Sequence, residues 1–157
     1  MKAAADSSGP PLARLLAIAY RSLIDGLHDQ LAERGWSDVR PAFGFVLLAA
    51  RDDATTVTAL AELMGTTKQA ASKLVDGMQN AGYVRRVAGD GDGRQRPVEI
   101  TSRGRQLLEA VEQIYRDLES DWAKRIGREQ LERVRSALVD VLSEPDAGRL
   151  PPVRPTW

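Results

Sequence analysis

Between residues 57 and 101 the hydrophobic period of the chain changes abruptly, and few folds accommodate such a change in so short a span. Leu60 and Leu63 define one face of a short helix over residues 57–64, which Gly65 ends. Thr66 and Thr67 then stand where an N-cap belongs, ahead of a second helix over 68–80. Ala70, Ala71, Leu74, Val75 and Met78 supply its inward stripe, and Gly82 is placed to stop it. From Tyr83 to Val87 the pattern becomes aromatic and β-branched, interleaved with arginines, which predicts a strand. The glycine-rich run AGDGDGRQR reads as a hairpin tip, and residues 97–101 as the returning strand.

Helical periodicity holds on both sides of this segment. Leu12, Leu15, Leu16, Ala19, Leu23, Leu27 and Leu31 lie on one face of a long helix ending near Arg34 and Gly35. Asp38 is placed to cap a second helix through Phe43 and Ala49, apolar nearly all round and therefore expected to be buried. After Ser102 the residues Leu107, Leu108, Val111, Ile114, Tyr115, Leu118 and Trp122 again recur at helical spacing. Gly127 interrupts, and Leu131, Val134, Leu138 and Val141 mark a last helix. The expected fold class is mainly α with a small β-hairpin wing, a winged helix-turn-helix over 38–101. An N-terminal helix over 11–36 and C-terminal helices over 102–144 flank it. Residues 1–10 read as a disordered leader and 145–157, with four prolines, as a tail.

A helix, a tight glycine turn and a second helix with a polar, basic start form the arrangement that reads base edges in the major groove. Lys68, Gln69, Ser72 and Lys73 share one outward face. Glutamine can bind adenine through two hydrogen bonds, and lysine can donate to guanine or to phosphate. Thr67, at the helix start, suits a phosphate contact favoured by the helix dipole. Arg86 at the end of the first strand joins this set. Arg94 and Arg96 lie on the hairpin tip, from which arginine can enter the minor groove, with Asp92 orienting Arg94.

The stretch from Leu60 to Gly104 resembles the winged helix-turn-helix of the MarR (multiple antibiotic resistance regulator) family. The matching features are the leucine-rich helix ending in Gly65, the Thr67-capped helix reaching Val75 and Asp76, and the run Gly82 to Arg86. The Asp92-Gly93-Arg94 wing and Ile100-Thr101-Ser102-Arg103-Gly104 complete the match. Lys73 stands where the family more often has arginine, Gly93 replaces a usual charged residue, and Pro97 removes a ladder donor. With its flanking helices the resemblance covers roughly residues 11–144. It implies a homodimer on a pseudo-palindromic double-stranded DNA operator, acting as a transcription regulator and in most cases a repressor. It also implies a site between dimerisation helices and DNA-binding lobe for a small aromatic or lipophilic effector. His28, Trp36, Arg40, Phe43 and Tyr115 are the candidates. For each the plain structural reading is the stronger one: Phe43 and Tyr115 fall on core stripes, Trp36 packs, and a histidine placed like His28 is more often a surface or interface residue than a ligand contact.

Composition narrows the other classes. The 157 residues contain no cysteine and one histidine, which excludes disulfides, thiolate nucleophiles and a His-rich metal centre within one chain. No nucleophile and base pairing is recognisable, so an enzyme is not expected, nor a cofactor or metal. Counted from Asp90 as a calcium loop, the required glycine falls on Gln95 and the final glutamate on Thr101. The dinucleotide fingerprint fails because its last glycine is Arg94. No run approaches the roughly 18 apolar residues of a membrane span, and the N-terminus lacks a signal-peptide core, so a cytoplasmic location is expected. Net charge is zero, but residues 68–105 hold eight basic against four acidic side chains, and residues 106–144 six against nine. The neutral sum keeps one alternative open, a winged helix that docks on protein and not on DNA. Finally, the outer helices carry wider apolar stripes than a small winged helix needs, which a second copy would cover.

Overall fold

Threonine starts three of the helices in the same way. In the computed structural model, which describes residues 9–88 and 96–143, Thr56, Thr67 and Thr101 all have extended backbone. Each Oγ1 accepts the N–H three residues on, from Ala59, Ala70 and Gly104, at 3.1 Å. These bonds satisfy donors that the first helical turn leaves without an internal partner.

The elements in order are α1 (Leu12–Glu33), α2 (Phe43–Ala49), α3 (Val57–Leu63), α4 (Lys68–Asn80), β1 (Val84–Arg86), β2 (Val98–Ile100), α5 (Ser102–Ile126) and α6 (Arg128–Leu142). The fold is mainly α with an antiparallel hairpin, as the sequence predicts. β1 and β2 pair with Val84 opposite Ile100 and Arg86 opposite Val98. The ladder continues one step, where Val87 N–H donates to the Pro97 carbonyl at 2.9 Å, so Pro97 uses the one backbone group it has. At Gly82 the chain reverses with φ +80°, a left-handed conformation that lets α4 end and β1 begin within three residues.

Three local expectations are corrected. Asp38 does not cap α2; Ala42 occupies that position without a side-chain bond, and Asp38 instead accepts the hydroxyl of Tyr83. Ala70 is exposed, because the inward stripe of α4 runs through Ala71, Val75 and Met78. The run RDDATT before α3, which reads as a polar turn in the sequence, is more than that: Thr55 exchanges two backbone bonds with Val98, at 3.0 and 2.7 Å, and gives the hairpin a third strand-like edge.

The core gathers Leu27 and Leu31 of α1, Phe43 to Leu47 of α2, Leu60 of α3, Val75 and Met78 of α4, Tyr83, the hairpin valines and Leu107 to Ile114 of α5. α6 buries no residue, and the first half of α1 buries none either. α5, at 25 residues, is roughly 37 Å long at 1.5 Å per residue, so it extends well past the core it helps to build.

Candidate nucleic-acid interface and the adjoining cleft

α4 is fixed on one side and open on the other. Its inner face is buried, and α3 precedes it across Gly65. On the outer face the side chains of Lys68, Gln69 and Lys73 are exposed and make no side-chain hydrogen bond or ion pair among the described residues. Thr67 is exposed too, although its oxygen is used as the cap, leaving only its hydroxyl hydrogen for a contact outward.

Ser72 and Arg86, both expected to face DNA, are bonded to one another. Arg86 Nη1 lies 2.5 Å from Asp76 Oδ1, and Nη2 donates to Ser72 Oγ at 3.2 Å. Arg86 thereby braces β1 against α4, and Asp76, absent from the sequence-derived set, becomes part of the interface scaffold. Opposite charges ten residues apart across a glycine stop were the available signal. On the other hairpin edge Arg85 donates through Nε and Nη2 to Glu99 Oε2, at 3.2 and 2.9 Å. Arg96 is exposed at the foot of the wing. Asp92 and Arg94 lie outside the described residues.

Behind this surface, α1, α2 and α5 enclose a cleft of about 220 Å³. Leu31, Phe45 and Leu108 are among its apolar walls, and His28, Arg40 and Tyr115 line it as expected. His28 Nε2 is buried without a hydrogen-bond partner, and burial, followed by the nearby Tyr20, pushes the Tyr115 hydroxyl above its ordinary pKa. Glu112, also in the wall, is held by Arg51.

Trp36 and Phe43 do not line the cleft. Their rings pack on Tyr83, with centroids 6.1 and 5.9 Å away, and the Arg103 guanidinium lies 5.0 Å from both the Trp36 and the Tyr83 rings. Burial, then the hydrogen bond to Asp38 and the charge of Asp38, raises the Tyr83 hydroxyl pKa, while Arg103 opposes the shift. A larger polar depression of about 650 Å³ lies between Asp52, Asp53, Arg105 and the outer hairpin edge. Its charges are of both signs and Arg85 and Glu99 within it already pair, so it offers no single-sign site.

Residues 45–95 match the model of the MarR family. The fold is shared with solved structures over most of the chain. A mutant of MarR from E. coli aligns with 22% identity and TM-score 0.71, over 87% of this chain and 99% of that one. A Mycobacterium tuberculosis MarR family protein in complex with salicylic acid aligns with 23% identity and TM-score 0.64, over 86% and 98%. A mutant Staphylococcus aureus MepR bound to an oligodeoxyribonucleotide aligns with 20% identity and TM-score 0.60, over 86% and 98%. No curated protein matches the sequence significantly. The resemblance to the MarR family read from the sequence is borne out.

Proposed function

We propose that the chain is a MarR-type transcription regulator that binds operator DNA as a homodimer and is released by a small effector. The observation that carries this reading is the unpaired outer face of α4. Lys68, Gln69 and Lys73 project from a helix whose other face is buried and whose flank is braced by Arg86. In this reading α4 enters the major groove, Gln69 reads a base edge, and the two lysines contact guanine or phosphate. Arg94 and Arg96 of the wing enter the flanking minor groove, with Asp92 orienting Arg94.

The homodimer reading rests on exposed apolar surface. Leu12, Ile18 and Val141 are 66%, 57% and 81% exposed, on the half of α1 that buries nothing and on α6, which buries nothing at all. Residues 11–36 and 102–144 then serve as dimerisation helices around a DNA-binding lobe over 38–101. Two recognition helices sit roughly 34 Å apart on a pseudo-palindromic site. The cleft lined by His28, Arg40 and Tyr115 receives an aromatic or lipophilic acid, for which salicylate is the first probe. The regulator acts in the cytoplasm, as a repressor whose hold on the operator the effector weakens.

Selection of genomic fragments on the purified protein, followed by mobility shift of the recovered duplex, tests the reading. It predicts a sequence-selective complex that weakens steeply with salt. Recovery of no preferred duplex contradicts it.

A further inference from the structure

The stretch from Trp36 to Phe45, which leads from α1 into the first turn of α2, has two faces. Val39, Arg40, Pro41, Gly44 and Phe45 line the cleft. Trp36, Asp38 and Phe43, interleaved with them, grip Tyr83: two rings pack against it, and its hydroxyl donates to Asp38 Oδ1 at 2.5 Å.

Tyr83 belongs to the DNA-reading side. It is fully buried, one residue past Gly82 at the end of α4 and one before β1. Its N–H donates to the Met78 carbonyl at 2.9 Å, and its own carbonyl accepts from Thr101 N–H at 3.0 Å and Thr101 Oγ1 at 3.1 Å. On the α5 side there is no spare room, since a Cβ on Gly104 would lie 2.1 Å from the Tyr83 oxygen. Arg103 adds a bond to the Ala81 carbonyl at 3.1 Å. The backbone of Tyr83 is therefore fixed to the junction of α4, β1 and α5, while its side chain is held by Trp36, Asp38 and Phe43, the chain neighbours of the cleft-lining residues, and by Arg103 of α5.

We infer that the Asp38–Tyr83 hydrogen bond is the linkage through which occupancy of the cleft alters the posture of α4 and the hairpin. The inference rests on the effector reading above and assigns its route. An occupant that pushes on Val39 to Pro41 displaces Asp38, the residue just before them in the chain. Tyr83 cannot yield at its backbone, so either the bond breaks or the whole α4–β1–α5 junction follows. A ligand shifts an equilibrium only as far as it binds one arrangement better than the other, and here the two arrangements differ at a named bond between the residue beside the cleft wall and the turn that joins α4 to β1. The connection spans 45 residues of sequence through one bond between two side chains.

The test compares wild type with Tyr83→Phe, Asp38→Ala and Asp38→Asn. Tyr83→Phe keeps the ring packing and loses the donor, and Asp38→Asn keeps an acceptor. Each is titrated with the selected duplex, with and without saturating salicylate, and salicylate binding is measured separately by calorimetry. Wild type is expected to bind salicylate and lose duplex affinity when it does. Tyr83→Phe and Asp38→Ala are expected to bind both partners within about threefold of wild type, with the salicylate effect reduced by about 3- to 10-fold, the worth of one hydrogen bond. Asp38→Asn is expected to retain most of the effect. An undiminished salicylate effect in both Tyr83→Phe and Asp38→Ala overturns the linkage and leaves the effector reading standing. A wild-type protein that neither binds salicylate nor responds to it overturns the effector reading and the linkage with it.

Discussion

Arg86 of β1 holds Asp76 of α4 at 2.5 Å and reaches Ser72 with its second nitrogen. The pair ties the hairpin to α4. It also gives intramolecular partners to an arginine that the sequence offered as a DNA contact. Arg86→Ala and Asp76→Ala are therefore expected to act alike. Each should cost about 1 kcal/mol or less, since Asp76 is more than half exposed. Each should lower duplex affinity evenly across sequences, as measured by fluorescence anisotropy. If Arg86 held phosphate itself, Asp76→Ala would free it and affinity would be kept or would rise.

Two glycines predict opposite outcomes. A Cβ on Gly104 would meet the Tyr83 carbonyl oxygen at 2.1 Å and Ile100 Cγ1 at 2.7 Å, and the first of these is backbone that cannot step aside. Gly104→Ala should destabilise by about 3 kcal/mol, the upper end for overpacking. Gly77 lies within α4, exposed, with nothing within 4 Å of an added Cβ. Gly77→Ala should stabilise by about 0.5–1 kcal/mol through the helix propensity of alanine. Urea unfolding of both variants checks the pair of signs.

Much of this architecture was legible in the chain. Gly35, Gly65, Gly82 and Gly127 mark helix ends, and Thr67 caps the helix it was expected to cap, because these are local effects that one or two residues decide. What could not be read was which neighbour arrives at a given face. Periodicity grouped Ala70 with Ala71, yet only Ala71 meets the core. It also gave Ser72 to solvent, and a strand from beyond Gly82 delivers Arg86 to it. Asp38 stands where a helix cap is plausible, and its actual partner is 45 residues away, a distance that leaves no local pattern. The cleft was half legible for the same reason. His28, Arg40 and Tyr115 line it, whereas Trp36 and Phe43 turn to Tyr83.

Alkaline pH should expose the Tyr83 contact. Its hydroxyl pKa is raised above the ordinary 10.0 by burial and then by Asp38, so folding favours the protonated form. That contribution is fully present below pH 10 and is lost as pH rises through the folded-state value. Tyr115, also raised by burial, adds in the same direction. Wild type should lose stability above pH 10, and Tyr83→Phe should lose less over the same interval in urea titrations.

The exposed stripes on α1 and α6 predict the assembly state. Light scattering should give twice the chain mass at micromolar concentration. Ile18→Glu combined with Val141→Glu, at positions 57% and 81% exposed, should give a folded monomer with much weaker duplex binding. A wild-type monomer would contradict the dimer.

The most direct measurement is a competition titration of the selected duplex with wild type, Gln69→Ala and Arg94→Ala over a range of salt. The account predicts a complex that prefers the selected duplex over a scrambled one and loosens linearly on a log–log salt plot. It predicts a changed base preference for Gln69→Ala, with a loss of roughly 1–3 kcal/mol of discrimination at the base it reads. It predicts a weaker complex for Arg94→Ala. Equal binding of selected and scrambled duplex by wild type, unchanged by either substitution, would contradict it.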